Sequence, residues 1–321
     1  MSRVISKIKQ QFVESLKPSI KSALWLLRMM LPIMLGVSLL DYFGVIEWIS
    51  VYTTPMFNML GLDGRAAFVY ITSVLASIYS AIGVMTLFDF GLREVTIMAS
   101  MCLIAHNLII EGAIQSRSGV SMWGITLLRI VSSMVCGYFL NLILPSEMAG
   151  SLYLDMADGK VESLGALLST WLTTSLKLAL KVILIIYLLN VLQNILKAFN
   201  VLNLLIASIY PLLAVMGLPR STSFLWMVAN TLGLAYGGAI IVGEYSKGEI
   251  SRSDASLLNI SLAQTHSLLE DTVLFVSLGV GLFWVVVPRL LLSIITVWAH
   301  RGINALKVNH FFVSLPSYKK S

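Results

Sequence analysis

Apolar residues run through this chain in long blocks, not in the alternation of a half-buried strand. They cover residues 23–46, 66–88, 95–114, 121–145, 164–199, 222–243, 255–276 and 278–299. A helix needs about 20 such residues to cross a bilayer core, so the pattern predicts an all-α integral membrane protein. Eight blocks do not require eight crossings. Between the first two, Glu47 to Leu62 carries Trp48, Tyr52, Pro55 and Phe57, a mixture suited to the headgroup level, which predicts an interfacial helix running into a turn at Gly61–Gly64. Residues 1–22 set Val4, Ile5, Ile8, Phe12 and Leu16 against lysines, the pattern of a basic amphipathic helix lying on the membrane surface.

Self-similarity organises the blocks further. The run Pro55-Met-Phe-Asn-Met-Leu-Gly61-Leu62 returns as Pro211-Leu-Leu-Ala-Val-Met-Gly217-Leu218, an offset of 211 − 55 = 156. Tyr79 then matches Tyr236 at 157, and His106 matches His266, Glu111 matches Asp271 and Arg129 matches Arg289, each at 160. Chance alignment of apolar helices explains matched leucines, not matched histidines and arginines. The chain therefore reads as two repeats, 23–145 and 164–300, joined by a connection at 146–163 and followed by a basic tail at 301–321.

Charge links this organisation to topology. Of 321 residues 57% are hydrophobic and 12% charged, about half the charged share of a soluble domain. That excludes soluble enzymes, coiled coils and disordered chains. The net charge of +6 is concentrated at the ends: Arg3, Lys7, Lys9, Lys17 and Lys21 open the chain, and Arg301, Lys307, Lys319 and Lys320 close it. Both termini are expected in the cytoplasm of a multi-pass cell-membrane protein, with leaflet lipid and not nucleic acid as the partner of the basic tails. The connection at 146–163 holds Glu147, Asp155, Asp158 and Glu162 against Lys160 and is the candidate for the outer face. If each repeat has three spans and one re-entrant hairpin, that connection is external and the repeats are inverted; with four full spans each, it is cytoplasmic and they are parallel. The block at 66–88, with its soft tip at Tyr79-Ser80-Ala81-Ile82-Gly83, is the candidate hairpin, and Tyr236-Gly237-Gly238 is its mate, since irregular backbone at membrane depth is tolerated where it lines a cavity. Lys177 and Lys181 favour the opposite parity.

These motifs resemble a known family. The stretch from Pro55 to Glu111, with Gly61-Leu62, a break near Tyr79, Glu94 beginning the next helix and Ala105-His106-Asn107-Leu108-Ile109-Ile110-Glu111, is similar to the nucleoside-recognition or Gate domain. That domain occurs in concentrative nucleoside transporters and in the membrane part of FeoB-type iron transporters. Pro211 to Asp271 resembles a second copy. The resemblance implies inverted repeats, each with a re-entrant hairpin and a broken helix, and a substrate site where the copies meet near mid-membrane. The Gln-Thr-Glu hairpin tip of the nucleoside carriers is missing, as is any phosphate loop, so neither nucleoside transport nor NTP hydrolysis is expected.

Titratable groups inside apolar helices cost at least ~2.5 kcal/mol each on insertion scales, so each needs a partner or a cavity. His106, Asn107 and Glu111 share one block, and Gln264, His266, Glu270 and Asp271 share its mate. His106 and Glu111 lie about 140° apart on an unbroken helix; both enter one cavity only if that helix opens. Two His and two carboxylates brought together suit a substrate or coupling-ion site, or a divalent metal at His106, Glu111, His266 and Asp271; neighbour-to-neighbour pairing within the bundle is the structural alternative. Arg129 and Arg289 fit an anionic group, lock the acids, or snorkel to the interface. Tyr79 and Tyr236 stack on a substrate or pack as aromatics. No cofactor is required, and no nucleophile constellation marks an enzyme. The expectation is a transporter of a small polar or ionic substrate, driven by an ion gradient; the alternative is a non-transporting membrane subunit assembling with a partner protein in an envelope or developmental process. Homo-oligomers fit either.

Overall fold

A computed structural model describes residues 2–148, 150, 152, 163–199 and 201–313; residues 153–162 of the acidic connection and 314–321 of the tail lie outside the described residues. All regular elements among these residues are helical. Among the described residues, five helical stretches are long and apolar enough to cross a membrane: Val4–Tyr42, Leu92–Ser116, Met122–Ile143, Leu164–Ala198 and Leu282–Leu306. The chain is an all-α membrane protein.

The elements of the first half are α1 (Ser2–Tyr42), α2 (Val45–Asn58), α3 (Ala66–Leu75), α4 (Ile78–Met85), α5 (Leu92–Ile104), α6 (Leu108–Ser116) and α7 (Met122–Ile143). Those of the second half are α8 (Leu164–Ala198), α9 (Val201–Val215), α10 (Ser223–Ser246), α11 (Arg252–Thr265), α12 (Glu270–Ser277) and α13 (Leu282–Val313). Their order corresponds. α2 and α9 even stop by the same device, a left-handed glycine: Gly61 has φ 70° and Gly217 φ 76°. The amides of Leu62 and Leu218 then reach back five residues to the carbonyls of Phe57 and Leu213, both at about 3.0 and 2.9 Å respectively, which satisfies carbonyls a helix end would otherwise expose.

The soft hairpin tip expected at Tyr79–Gly83 lies earlier in the chain. The break falls at Ala76–Ser77, between α3 and α4, where Ser77 caps α4 by accepting from the Ser80 amide at 3.1 Å. In α10 the turn falls at Gly233, with φ 77° and ψ 165°, not at Tyr236–Gly238. The chain folds back so tightly there that a Cβ on Gly237 would meet the Cα of Ala229 at 2.5 Å. The glycines at 237–238 thus serve the approach of the two arms, and the turn itself uses a different residue.

Residues 2–22 do not form an element of their own. They are the first half of α1, which continues through Pro18 and Pro32 to Tyr42 and packs along α8 in the opposite direction. The Tyr187 hydroxyl donates to the Phe12 carbonyl at 3.1 Å, Asn194 to Ser15 Oγ at 2.9 Å and Lys7 to the Ala198 carbonyl at 2.5 Å. At 1.5 Å per residue α1 is about 60 Å long, about twice the hydrocarbon thickness. The basic tail likewise begins inside α13, which runs on to Val313.

Two buried clusters hold the molecule together, and each borrows from the other half. Val285, at the start of α13, sits in the cluster built mainly by α1, α3–α5 and α8. Ile125, at the start of α7, sits in the cluster built mainly by α9–α11. The two positions are 285 − 125 = 160 apart. The halves are interlocked through equivalent helix ends, and the crossing point of that interlock is where the polar residues gather.

Candidate functional site

Both mid-chain helices open at the same point in their sequence. Asn107 between α5 and α6 has φ 49°, and Ser267 between α11 and α12 has φ 54°; left-handed backbone on residues other than glycine is uncommon and persists where surroundings hold it. The hairpins supply that hold. The Asn107 amide donates to the Ser73 carbonyl on α3 at 2.9 Å, and the Ser267 amide to the Ala229 carbonyl on α10 at 3.2 Å.

A broken helix leaves carbonyls unpaired, which is costly away from water. The arginines of the following helices satisfy them. Arg129 on α7 donates from Nε to the Ile104 carbonyl at 2.7 Å and from Nη2 to the His106 carbonyl at 2.9 Å. Arg289 on α13 donates from Nε to the Gln264 carbonyl at 2.9 Å and from Nη2 to the His266 carbonyl. Both side chains have 0% exposure, so neither snorkels to an interface.

The histidines are fixed in the same way in each half. His106 Nδ1 lies 3.0 Å from the Cys102 carbonyl and His266 Nδ1 2.8 Å from the Leu262 carbonyl. A carbonyl only accepts, so each Nδ1 carries a proton and each Nε2 faces inward. The two Nε2 atoms are 3.4 Å apart, with ring centroids at 4.8 Å. The pair predicted from the repeat offset meets.

Around the rings the two halves differ. Glu111 Oε2 lies 2.7 Å from Arg129 Nη1 and 3.1 Å from His266 Nε2, while Oε1 lies 3.5 Å from His106 Nε2. Asp271 Oδ2 lies 3.5 Å from His106 Nε2; it and Arg289 Nη1, like Glu111 Oε2 and Arg129 Nη1, fall outside hydrogen-bond geometry, but no ion pair joins Asp271 to Arg289. The shorter side chain of Asp271 leaves a buried acceptor and a buried donor open on its side of the cluster. Glu270 stands at the edge, contacted by the Tyr79 hydroxyl at 3.4 Å and by Gln193 of α8 at 3.3 Å.

Other expected residues fall elsewhere. Tyr236 is 54% exposed and lies under the Lys197 ammonium, 4.7 Å from its ring centroid, so the tyrosine pair does not meet. Asn107 contributes its backbone at the break. Gln264 contributes its carbonyl to Arg289 and donates its side-chain amide to Ser132 at 2.9 Å. Sequence reasoning missed Gln193, Ser73 and Ala229, which hold the site through backbone or long-range contacts that no spacing announces. Cys102 and Cys136 are buried and free.

One donor atom from each of His106, Glu111 and His266 lies within 4.8 Å of the others, close enough to consider an ion. The guanidinium of Arg129 argues against it: Nη2 is 3.1 Å from His266 Nε2 and Nη1 is 2.7 Å from Glu111 Oε2, so a fixed cation already stands against two of the three donors. As arranged, the cluster is a charge-compensated hydrogen-bonded set, not an open ligand cage.

No protein-family model matches the chain, and no solved structure matches it. It is similar to a curated protein described as "Uncharacterized membrane protein YvoD" of Bacillus subtilis (strain 168), with 26% identity over 292 residues, 90% of this chain and 92% of that protein. A match over 90% of this chain leaves out about a tenth of it, so its span includes 106 to 271 wherever it begins. The chain is a multi-helix membrane protein, similar across both of its halves to a bacterial membrane protein.

Proposed function

We propose that the protein is a transporter that moves a small polar or ionic substrate through the buried His–carboxylate–Arg cluster, using an ion gradient. The observation that carries this reading is the pair Asp271 Oδ2 and Arg289 Nη1, a buried acceptor and donor beside two inward-facing imidazole nitrogens; neither has a hydrogen-bond partner and, unlike Glu111 Oε2 and Arg129 Nη1 at 2.7 Å, the two are not joined in an ion pair. Such groups cost about 1–3 kcal/mol each when left unsatisfied, and a ligand that bridges them recovers that cost. Broken helices meeting at mid-membrane are the arrangement by which transporter folds bind ions and polar solutes, in keeping with the Gate-like resemblance.

The same reading takes the repeats as inverted and both termini as cytoplasmic. Charge supports it. Asp41, Glu47, Asp63 and Asp89 gather with Arg65 at one end of the molecule, where Glu94 and Glu147 gather with Arg93. Arg252 and His300 line the other end, where Arg301 binds the Gly217 carbonyl at 2.8 Å. Lysine and arginine mark the cytoplasmic side.

Proteoliposomes on a capacitive electrode test the proposal. Concentration jumps of manganese, phosphate, glutamate and lysine, each with and without a proton or sodium gradient, should give a transient current for one of these classes. His106→Ala and His266→Ala should each abolish it in folded protein, and the double variant should be no worse, because residues acting as a unit are non-additive. No current with any probe, together with co-purification of a second membrane protein, would replace the transporter by a subunit of a larger assembly.

A further inference from the structure

At the end carrying Arg252 and His300, α7 and α13 diverge over the first turns of α11 and leave a groove of about 710 Å³. Its rim is polar, with Ser121, Arg252, Ser256, His300 and Asn304, and its floor is apolar, with Ile125, Leu128 and Ile260. No carboxylate lines it. Asn304 Nδ2 lies 2.9 Å from His300 Nε2, which orients the ring at the rim. The N-termini of α7 and α11, capped by Ser121 and Ser251, both lie here; that of α7 has no acid in its first turn and adds partial positive charge to that of Arg252, whereas Asp254 offsets that of α11.

The opposite end of the molecule shows that the groove is not a by-product of the fold. Applying the offset of 160, the counterpart of Gly124 is Trp284, that of Ile260 is Ser100, and that of His300 is Leu140. There Ser100 donates to the Trp284 carbonyl at 2.9 Å, Leu140 is buried, and Trp284 packs against the first cluster. A Cβ on Gly124 would meet only its own capping residue Ser121. One end places an indole there; the equivalent place at the other has only the hydrogen of Gly124 and carries the cation Arg252.

We propose that this groove binds an anionic phospholipid of the adjoining leaflet, with the phosphate at Arg252 and the N-terminus of α7 and an acyl chain along Ile125, Leu128 and Ile260. An amphiphile is the ligand that uses both parts. The groove is flanked by outward-facing apolar side chains, Leu127 at 62% and Ile295 at 61% exposure, so it opens toward lipid. Its volume falls in the range of ordinary ligand sites, about 300–1,000 Å³.

The test titrates the purified full chain in detergent micelles with phosphatidylglycerol or phosphatidylcholine and reads bound lipid by native mass spectrometry. One phosphatidylglycerol per chain should be retained in preference to phosphatidylcholine. Arg252→Gln, at an exposed position, should weaken that retention about fivefold, the effect of one basic side chain near a lipid surface. Gly124→Trp, which copies the opposite end, should abolish it, and His106→Ala should leave it unchanged, so the outcome is separate from that of the transport experiment. Equal retention of the two lipids, or retention unaffected by Arg252→Gln, would overturn the proposal. So would inorganic phosphate that displaces the lipid and raises the melting temperature as much, since the groove would then be a small-anion site.

Discussion

Glu111 with Arg129 and Asp271 with Arg289 occupy equivalent places on equivalent helices, yet only the first pair closes. Each arginine donates to the same two carbonyls of its own broken helix, 25 and 23 residues before it in both halves. The scaffold is therefore the same, and the difference comes from one methylene: glutamate reaches its guanidinium as an ion pair at 2.7 Å, whereas no ion pair joins aspartate Oδ2 to Arg289, and both are left without hydrogen bonds. Two halves with matching scaffolds need not do the same work. The closed pair holds the cluster together, and the open pair is the part of it that has something left to bind.

Breaking the closed pair should have the largest effect. Arg129→Met strands Glu111 and the carbonyls of Ile104 and His106, and should lower stability by about 3–5 kcal/mol in thermal melts. Arg289→Met strands two carbonyls and no ion pair, and should cost less, about 1–3 kcal/mol. Equal losses would mean that the halves are energetically equivalent. Asp271→Glu sharpens the contrast: the longer carboxylate should reach Arg289, hold or raise stability by about 1 kcal/mol, and remove the transport current. A fully active Asp271→Glu protein would show that the open pair binds nothing. The converse change, Glu111→Asp, should open the first pair at a cost of about 1–2 kcal/mol, read in the same melts. Smallest in energy is the orientation test. In a background free of Cys102 and Cys136, Glu147→Cys and Lys247→Cys should each alter stability by under about 0.5 kcal/mol. They should react with membrane-impermeant maleimide from opposite sides, and labelling from one side alone would make the repeats parallel.

Much of this was legible in the sequence because buried charge is rare enough to be informative. The offset of 160 needed only His106, His266, Arg129 and Arg289, and it placed the rings in contact. Tyr79 and Tyr236 misled because their offset is 157: the hairpin backbone follows 156, as Ser73 and Ala229 show, and a slip of one residue turns a helical side chain by about 100°. The hairpin turns were misplaced for a related reason. Gly237 and Gly238 look like a bend, but glycine also permits close approach, and the turn at Ala76–Ser77 is marked only by a capping serine in a chain with many serines. The first 22 residues carry the pattern of a surface helix because a long helix paired along one face presents the same periodicity; only the partner, α8, distinguishes the two.

That partner is distant in the chain. α1 ends at Tyr42 and the last residue of α8 is Ala198, so 198 − 42 = 156 residues must be synthesised before the pairing is complete, about 8–30 s at ordinary elongation rates. Through that interval α1 exists without its neighbour. Its polar stripe is already provided for: Ser15 donates to the Gln11 carbonyl at 2.7 Å and Ser19 to the Ser15 carbonyl at 2.6 Å, within the helix itself. Asn194 then arrives as a donor to an oxygen that still has a lone pair to offer. α1 is built to wait.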